Sequence, residues 1–143
     1  MIDYSNIESV IETCFSEMEA ASLDKYDSDK ADKTAALFLT AQMKLSFLIE
    51  EIEMKAKHAK NEITRIEGEK YFELKTGGVG EKSPKITENM LASYVAKNPD
   101  IVAAKLECSK QEATLKKWNY IMNVLKDGHV YYRNLSKNKS WAE

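Results

Sequence analysis

A run of basic residues with two aromatic residues among them is the part of this sequence best suited to binding a charged ligand. Lysine and arginine side chains contact phosphates, and aromatic rings stack on unpaired bases, so such a run is typical of proteins that bind single-stranded nucleic acid. The candidate nucleic-acid-binding residues are Lys55, Lys57, Lys60, Arg65, Lys70, Tyr71, Phe72 and Lys75.

A second interpretation of this run is a solvated helix surface. Four acidic residues alternate with the basic ones, and pairs three or four positions apart would balance the charge. These acidic residues are Glu62, Glu67, Glu69 and Glu73. An alternative location for a nucleic-acid site is the group of Lys116, Lys117 and Arg133.

Catalytic, metal-binding and cofactor-binding patterns find no support in the sequence. The two histidines, His58 and His129, belong to no recognisable Cys/His ligand cluster. The glycines at 77–80 have neither the preceding strand nor the following Gly-Lys-Ser/Thr of a phosphate loop. Cys14 and Cys108 are far apart and are expected to be structural thiols of a reduced, cytoplasmic protein. We therefore predict a protein without enzymatic activity, metal or cofactor.

The composition favours helices. The 143 residues include 5 glycines and 2 prolines, too few for the many tight turns of a β-rich domain. The longest apolar runs fall short of the roughly 20 residues that span a bilayer, and residues 1–4 do not resemble a secretion signal. We predict a single all-α domain over residues 1–143, with no membrane contact.

Charge is distributed unevenly along the chain. Residues 1–54 carry 4 basic and 12 acidic side chains, whereas residues 55–143 carry 17 basic and 11 acidic side chains. This asymmetry fits a polyanion-binding surface beside an acidic partner-binding surface. It fits equally well two surfaces that attract each other in an oligomer.

Apolar periodicity and turn residues divide the chain into segments. Residues 1–27 contain a short acidic helix (5–21) and a loop, 28–74 form a long helix, and 75–86 form a Gly/Pro loop. A short helix and a second long helix occupy 87–137, and 138–143 form a polar tail. Asn98, Pro99 and Asp100 predict the start of the last helix.

The two long helices each carry an apolar seam with alternating spacings of three and four residues, which predicts an elongated antiparallel hairpin of coiled-coil type. Trp118 lies on the second seam and is expected to be buried, and Gly128 marks a candidate bend. The first seam comprises Ala31, Ala35, Phe38, Gln42, Leu45, Ile49, Ile52, Ala56, Ala59, Ile63 and Ile66. The second comprises Ile101, Ala104, Cys108, Gln111, Leu115, Trp118, Met122, Leu125, His129 and Tyr132.

Further apolar residues flank these seams, and a single hairpin would leave them exposed. We therefore predict a homo-oligomer in which a second copy covers them. The flanking residues are Phe47, Leu48, Ile121 and Val124.

The order of these features resembles phage recombination mediators of the UvsY type. The resemblance covers residues 45–137. The matching features are the basic-aromatic end of the first long helix, the glycine loop, the helix that starts at Thr87-Glu88, the Asn98-Pro99-Asp100 helix entry, and a final helix with Leu115, Trp118, Ile121 and Arg133.

The resemblance implies an oligomeric helical protein that binds single-stranded DNA in a bacterial host cell. Such a protein loads a RecA-like recombinase onto strands covered by single-strand-binding protein. The family places its DNA contacts just before the paired aromatic residues, which here implies Lys57, Lys60, Arg65 and Lys70. The alternative function is a phage helical protein–protein interaction module, an inhibitor of a host factor or an assembly adaptor, that uses the acidic N-terminal segment.

Overall fold

The computed structural model describes residues 4–21, 28–76 and 88–140. They form four helices: α1 (Tyr4–Ala21), α2 (Ser28–Thr76), α3 (Glu88–Lys97) and α4 (Pro99–Ser140). No strand occurs in these three ranges, so the all-α prediction is confirmed for the part of the chain that they cover. Of the helices described, none combines the length and the hydropathy that a membrane span requires.

The helix bounds agree closely with the predicted segments, but both long helices end later than predicted. Helix α2 continues to Thr76, so Lys75 is helical and does not lie in the glycine loop. Helix α4 continues to Ser140, three residues beyond its predicted end at residue 137. The predicted loops at 22–27 and 77–86, and the end of the tail at 141–143, lie outside the described residues.

The predicted start of α4 is confirmed. The Asn98 side-chain oxygen accepts a hydrogen bond from the backbone N–H of Asp100 at 2.9 Å, as an N-cap residue does. The Asn98 carbonyl accepts the first helical bond, from the N–H of Val102, at 3.0 Å. Because the Asn98 N–H also donates to the carbonyl of Val95 at 3.1 Å, α3 passes into α4 through this one residue.

The chain divides into two compact units. One consists of Met1–Glu51 and Lys116–Glu143, and the other of Ile52–Leu115. Helices α2 and α4 contribute to both units, α1 belongs to the first, and α3 belongs to the second.

In the first unit, α2 and α4 run antiparallel. The side-chain amide of Gln42 donates to the carbonyl of Leu125 at 3.4 Å, and the ring Nδ1 of His129 donates to the carbonyl of Ala35 at 3.0 Å. From Gln42 back to Ala35 on α2, the contacted residue on α4 moves forward from Leu125 to His129, as expected for antiparallel helices. His129 is half-buried and serves as a packing and hydrogen-bonding residue of the seam.

Helix α1 packs against both long helices in this unit. The Lys44 ammonium donates to the Asn6 side chain at 2.7 Å, and the Tyr132 hydroxyl donates to the carbonyl of Glu17 at 3.1 Å. The apolar stripe predicted for α1 is buried in part: Ile7, Ile11 and Cys14 are enclosed, whereas Phe15 and Met18 lie at its exposed edge.

Helix α2 carries a second buried row, which lies beside the predicted seam. Its members are spaced seven residues apart and are Thr34, Ala41 and Leu48. Leu48 is fully buried within the single chain. The expectation that a second copy is needed to cover Leu48 is therefore wrong, because the single chain already buries it.

The predicted seams agree with the burial of the side chains. Every seam residue on α2 and on α4 is buried or half-buried, and Trp118 is buried as expected. The largest fully enclosed side chains of the two long helices are Phe38, Leu45, Leu48, Ile101, Leu125 and Tyr132. Except for Leu48, which lies beside the seam, these residues are seam positions, so their predicted burial is confirmed.

The α-helix continues through Gly128 to Ser140. The role of Gly128 is instead in the packing of α4 against α2. A Cβ atom at residue 128 would lie 2.3 Å from Cε1 and 2.6 Å from Cδ1 of Phe38. The absence of a side chain thus lets the Phe38 ring lie directly on the α4 backbone. The same ring packs against Tyr132, with 5.2 Å between ring centroids.

In the second unit, α2 and α4 are again antiparallel. The Lys105 ammonium lies 3.7 Å from the Glu67 carboxylate, and the Lys70 ammonium lies 3.4 Å from the Asp100 carboxylate. Helix α3 completes this unit through its buried residues, Leu91 and Val95.

Candidate nucleic-acid interface

The predicted binding residues all lie on α2, in the second unit, where helical geometry sorts them onto different sides. At 3.6 residues per turn, Lys57, Lys60, Tyr71 and Lys75 share one side, which we call the lysine face. Its three lysines are exposed, and the Lys75 ammonium lies 5.7 Å from the centroid of the Tyr71 ring. These four residues form the most coherent part of the predicted strip.

Arg65 lies on another side of α2 and is held by two carboxylates. Its guanidinium donates hydrogen bonds to Glu62 and Glu69, one turn before and one turn after it. The hydrogen bond from Arg65 lowers the pKa of Glu62, and the two carboxylates raise the pKa of Arg65. Arg65 therefore fits the second interpretation of the sequence, a solvated helix surface on which basic and acidic side chains pair.

Lys70 lies in the seam, and its side chain is only 24% exposed. Its ammonium lies 3.4 Å from Asp100 at the start of α4 and 3.7 Å from Glu73 on its own helix. The contact with Asp100 connects α2 to α4, which is a structural role. Lys55 is exposed, but helical geometry places it away from the lysine face.

The two aromatic residues differ in accessibility. The side chain of Phe72 is 66% exposed, whereas Tyr71 is half-buried and lines an open groove of about 430 Å³ between α2 and α3. The other groove-lining residues are Thr64, Glu67, Gly68, Ala92, Val95 and Ala96. Phe72 therefore offers the more accessible ring for stacking on a base.

The cysteines are poorly placed for nucleophilic chemistry. Cys14 is fully buried, and its burial, together with the charge of Glu17, raises the pKa of its thiol to about 11. The pKa of Cys108 is also raised, mainly by burial and further by Glu112, to which its thiol donates a hydrogen bond. Among the residues described, no three His, Cys, Asp or Glu side chains are grouped as metal ligands.

We expect native Cys14 to resist alkylation by iodoacetamide at pH 8. The thiolate is the reactive form, and at a pKa of about 11 it is scarcely populated at that pH. Mass spectrometry after labelling should find Cys14 modified only when the protein has been unfolded in urea. Rapid modification of Cys14 in the folded protein would contradict the burial of α1 against the long helices.

The predicted strip did not distinguish the lysine face from basic residues that are paired with carboxylates. For Arg65 the helical spacing could have shown the pairing, because Glu62 and Glu69 lie three and four positions away. The contact from Lys70 to Asp100 depends on how α2 packs against α4, and nothing in the local sequence reveals it.

Comparison with known proteins identified no relative of this chain. No protein family model, curated protein or solved structure shows significant similarity to this chain.

Proposed function

We propose that this protein is a non-enzymatic single-stranded DNA-binding protein that acts as a recombination mediator in the cytoplasm of a bacterial host cell. The observation that carries the proposal is the lysine face of α2, where Lys57, Lys60 and Lys75 are exposed on one side together with Tyr71. Its lysines would follow the phosphates of one strand, and the exposed Phe72 ring would stack on a base.

Two substitutions in the lysine face test where the strand binds. We expect Lys57→Gln with Lys60→Gln to weaken binding to a fluorescein-labelled oligo-dT in fluorescence anisotropy. The log-log salt slope should become shallower by roughly 1.4, because each phosphate contact on a single strand contributes about 0.7. The helix should stay folded, since both side chains are exposed.

Arg65→Gln, which removes one basic side chain that is already paired, is the comparison for that double variant. The guanidinium already bonds Glu62 and Glu69, so its removal should change the affinity less than removal of either lysine. If Arg65→Gln alone abolished binding and the lysine variant bound normally, the lysine face would be the wrong surface.

The mediator role includes two protein partners, a RecA-like recombinase and a single-strand-binding protein. A mediator shortens the lag before recombinase filaments form on strands already covered by single-strand-binding protein. The direct test follows recombinase ATP hydrolysis on such strands with and without this protein. An unchanged lag, with DNA binding intact, would reduce the proposal to DNA binding alone.

We further propose that the chain is an elongated antiparallel hairpin that assembles into a homo-oligomer. The support is an exposed apolar row on α2, in which Leu39, Met43 and Phe47 are 46%, 60% and 63% exposed. Their spacing of four residues puts them along one side of the helix, where a second copy would remove them from water.

Light scattering tests the assembly. We expect the native protein to show a multiple of the 16.3 kDa chain mass at micromolar concentration. Met43→Ser with Phe47→Ser should return it to the chain mass without loss of helix. A native protein that gave only the chain mass would contradict the proposal.

The second candidate function is a helical protein–protein interaction module without nucleic-acid binding. It is favoured by α1, where the exposed Glu8, Glu12 and Glu19 share one side of the helix with Phe15. A folded protein that bound no oligo-dT at low salt would favour this alternative.

A further inference from the structure

The outward side of α4 in the first unit carries a second polar pattern. Seven exposed residues follow one another at alternating spacings of three and four between residues 116 and 137, and we call them the α4 outer stripe. Its members are Lys116, Asn119, Asn123, Lys126, Val130, Arg133 and Lys137. At ~1.5 Å per residue the stripe is about 32 Å long.

The charge of this stretch is strongly unbalanced. Residues 116–137 contain five lysine or arginine residues and one acidic residue, Asp127. Residues 55–75 of α2, by contrast, contain six basic and four acidic residues. A solvated helix surface usually mixes both signs so that neighbours pair, and the α4 outer stripe does not.

Three basic side chains of the stripe have no acidic partner among the described residues. Within the described ranges, no carboxylate forms an ion pair with Lys116, Lys126 or Arg133. Lys117 differs, because its ammonium lies 5.3 Å from the centroid of the buried Trp118 ring and helps to cover it. Lys117 is also exposed, but it is engaged with the Trp118 ring and is not a member of the stripe.

The side chains of the stripe suit a strand with unpaired bases. Lysine and arginine bind phosphates, asparagine offers both a donor and an acceptor to base edges, and tyrosine rings give bases a surface on which to stack. Two tyrosines flank the stripe and are accessible: Tyr120 is 71% exposed and Tyr131 is 55% exposed. A duplex, whose bases are already stacked, would leave these rings unused.

We propose that the α4 outer stripe is a second binding surface for single-stranded nucleic acid, separate from the lysine face. This inference rests on the proposed DNA-binding function. It extends that function from α2 to residues of the other compact unit. There Asn119, Asn123 and Lys126 join Lys116 and Arg133, the two stripe residues that the sequence suggested as an alternative location.

The test uses the full chain, fluorescein-labelled oligo-dT and three variants of equal charge. Lys126→Gln with Arg133→Gln removes two charges from the stripe, and Lys57→Gln with Lys60→Gln removes two from the lysine face. Lys97→Gln with Lys110→Gln is the control, because both lysines are exposed and lie outside both surfaces. We expect the stripe variant to bind at least about tenfold more weakly at low salt, with the control variant unchanged.

A further variant separates base stacking from simple charge attraction. Tyr120→Ala should weaken binding to oligo-dT about tenfold, as the loss of one stacked base does, and leave binding to heparin unchanged. Circular dichroism should show an unaltered melting temperature, because the ring is mostly exposed. An equal loss for heparin, or no loss for oligo-dT, would overturn the stacking contribution.

The remaining outcomes separate this inference from the proposed function. If only the lysine-face variant lost affinity, the DNA-binding function would stand and the α4 outer stripe would be excluded. If the native protein bound no oligo-dT, both would fail. If the stripe variant bound DNA normally but changed the assembly mass in light scattering, the stripe would instead be a surface for the acidic α1 of a second copy, and the inference would be overturned.

Discussion

Replacement of Trp118 with alanine is expected to lower the free energy of unfolding by about 3–5 kcal/mol, the cost typical of truncating a large buried aromatic side chain. The indole lies on the α4 seam, is only 9% exposed and is covered on one face by the Lys117 ammonium. Urea denaturation followed by far-ultraviolet circular dichroism would measure the loss. Tyr120→Ala is the matched control, because Tyr120 lies two residues along the same helix and is 71% exposed.

The opposite assignment for Trp118 is a base-stacking platform beside Lys116 and Lys117. A stacking residue would be accessible, and its removal would abolish DNA binding while leaving the melting temperature unchanged. That result would contradict the packing described for the first unit, in which the indole is enclosed.

Replacement of Gly128 with alanine is expected to destabilise the protein by about 1–3 kcal/mol, the usual cost of overpacking a core. The new methyl group would lie 2.3 Å from Cε1 of Phe38, and the Phe38 ring is fully buried beside Tyr132. The ring therefore has little room to move. A loss of stability would be informative, because replacing glycine with alanine in a helix stabilises it by about 1 kcal/mol where space allows.

Gly68→Ala is the control for that substitution. It also replaces a helical glycine, but a Cβ at residue 68 would meet nothing within 4 Å, so the protein should become about 0.5–1 kcal/mol more stable. The double variant Phe38→Leu with Gly128→Ala should lose less stability than the two single changes added together, because the smaller side chain relieves the clash. Stabilisation by Gly128→Ala alone would contradict the close contact between α2 and α4.

The sequence alone predicts the helices and their seams well, because apolar residues repeated every three or four positions must face a core. The row of Thr34, Ala41 and Leu48 could not be predicted in the same way, because it lies beside the seam and its burial depends on tertiary packing. The role of Gly128 could not be predicted either. The sequence shows only a glycine that weakens a helix, and not that the Phe38 ring of another helix packs against it.

For the candidate site, the sequence predicted which residue types would be present but not how they are engaged. The pairing of Arg65 with Glu62 and Glu69 follows from helical spacing, yet the run of positive charges had suggested one continuous strip. The contact of Lys70 with Asp100 joins residues thirty positions apart and requires the tertiary fold. The lysine face and the α4 outer stripe emerge only when the helical register is applied to exposed residues.

The central claim is that this chain binds single-stranded DNA through exposed basic side chains, and one titration tests it most directly. Fluorescence anisotropy of labelled oligo-dT with the native protein should show saturable binding at about 50 mM salt and a marked loss at about 200 mM, as phosphate contacts require. A folded protein that left the anisotropy unchanged at the lower salt, or whose affinity did not depend on salt, would contradict the claim.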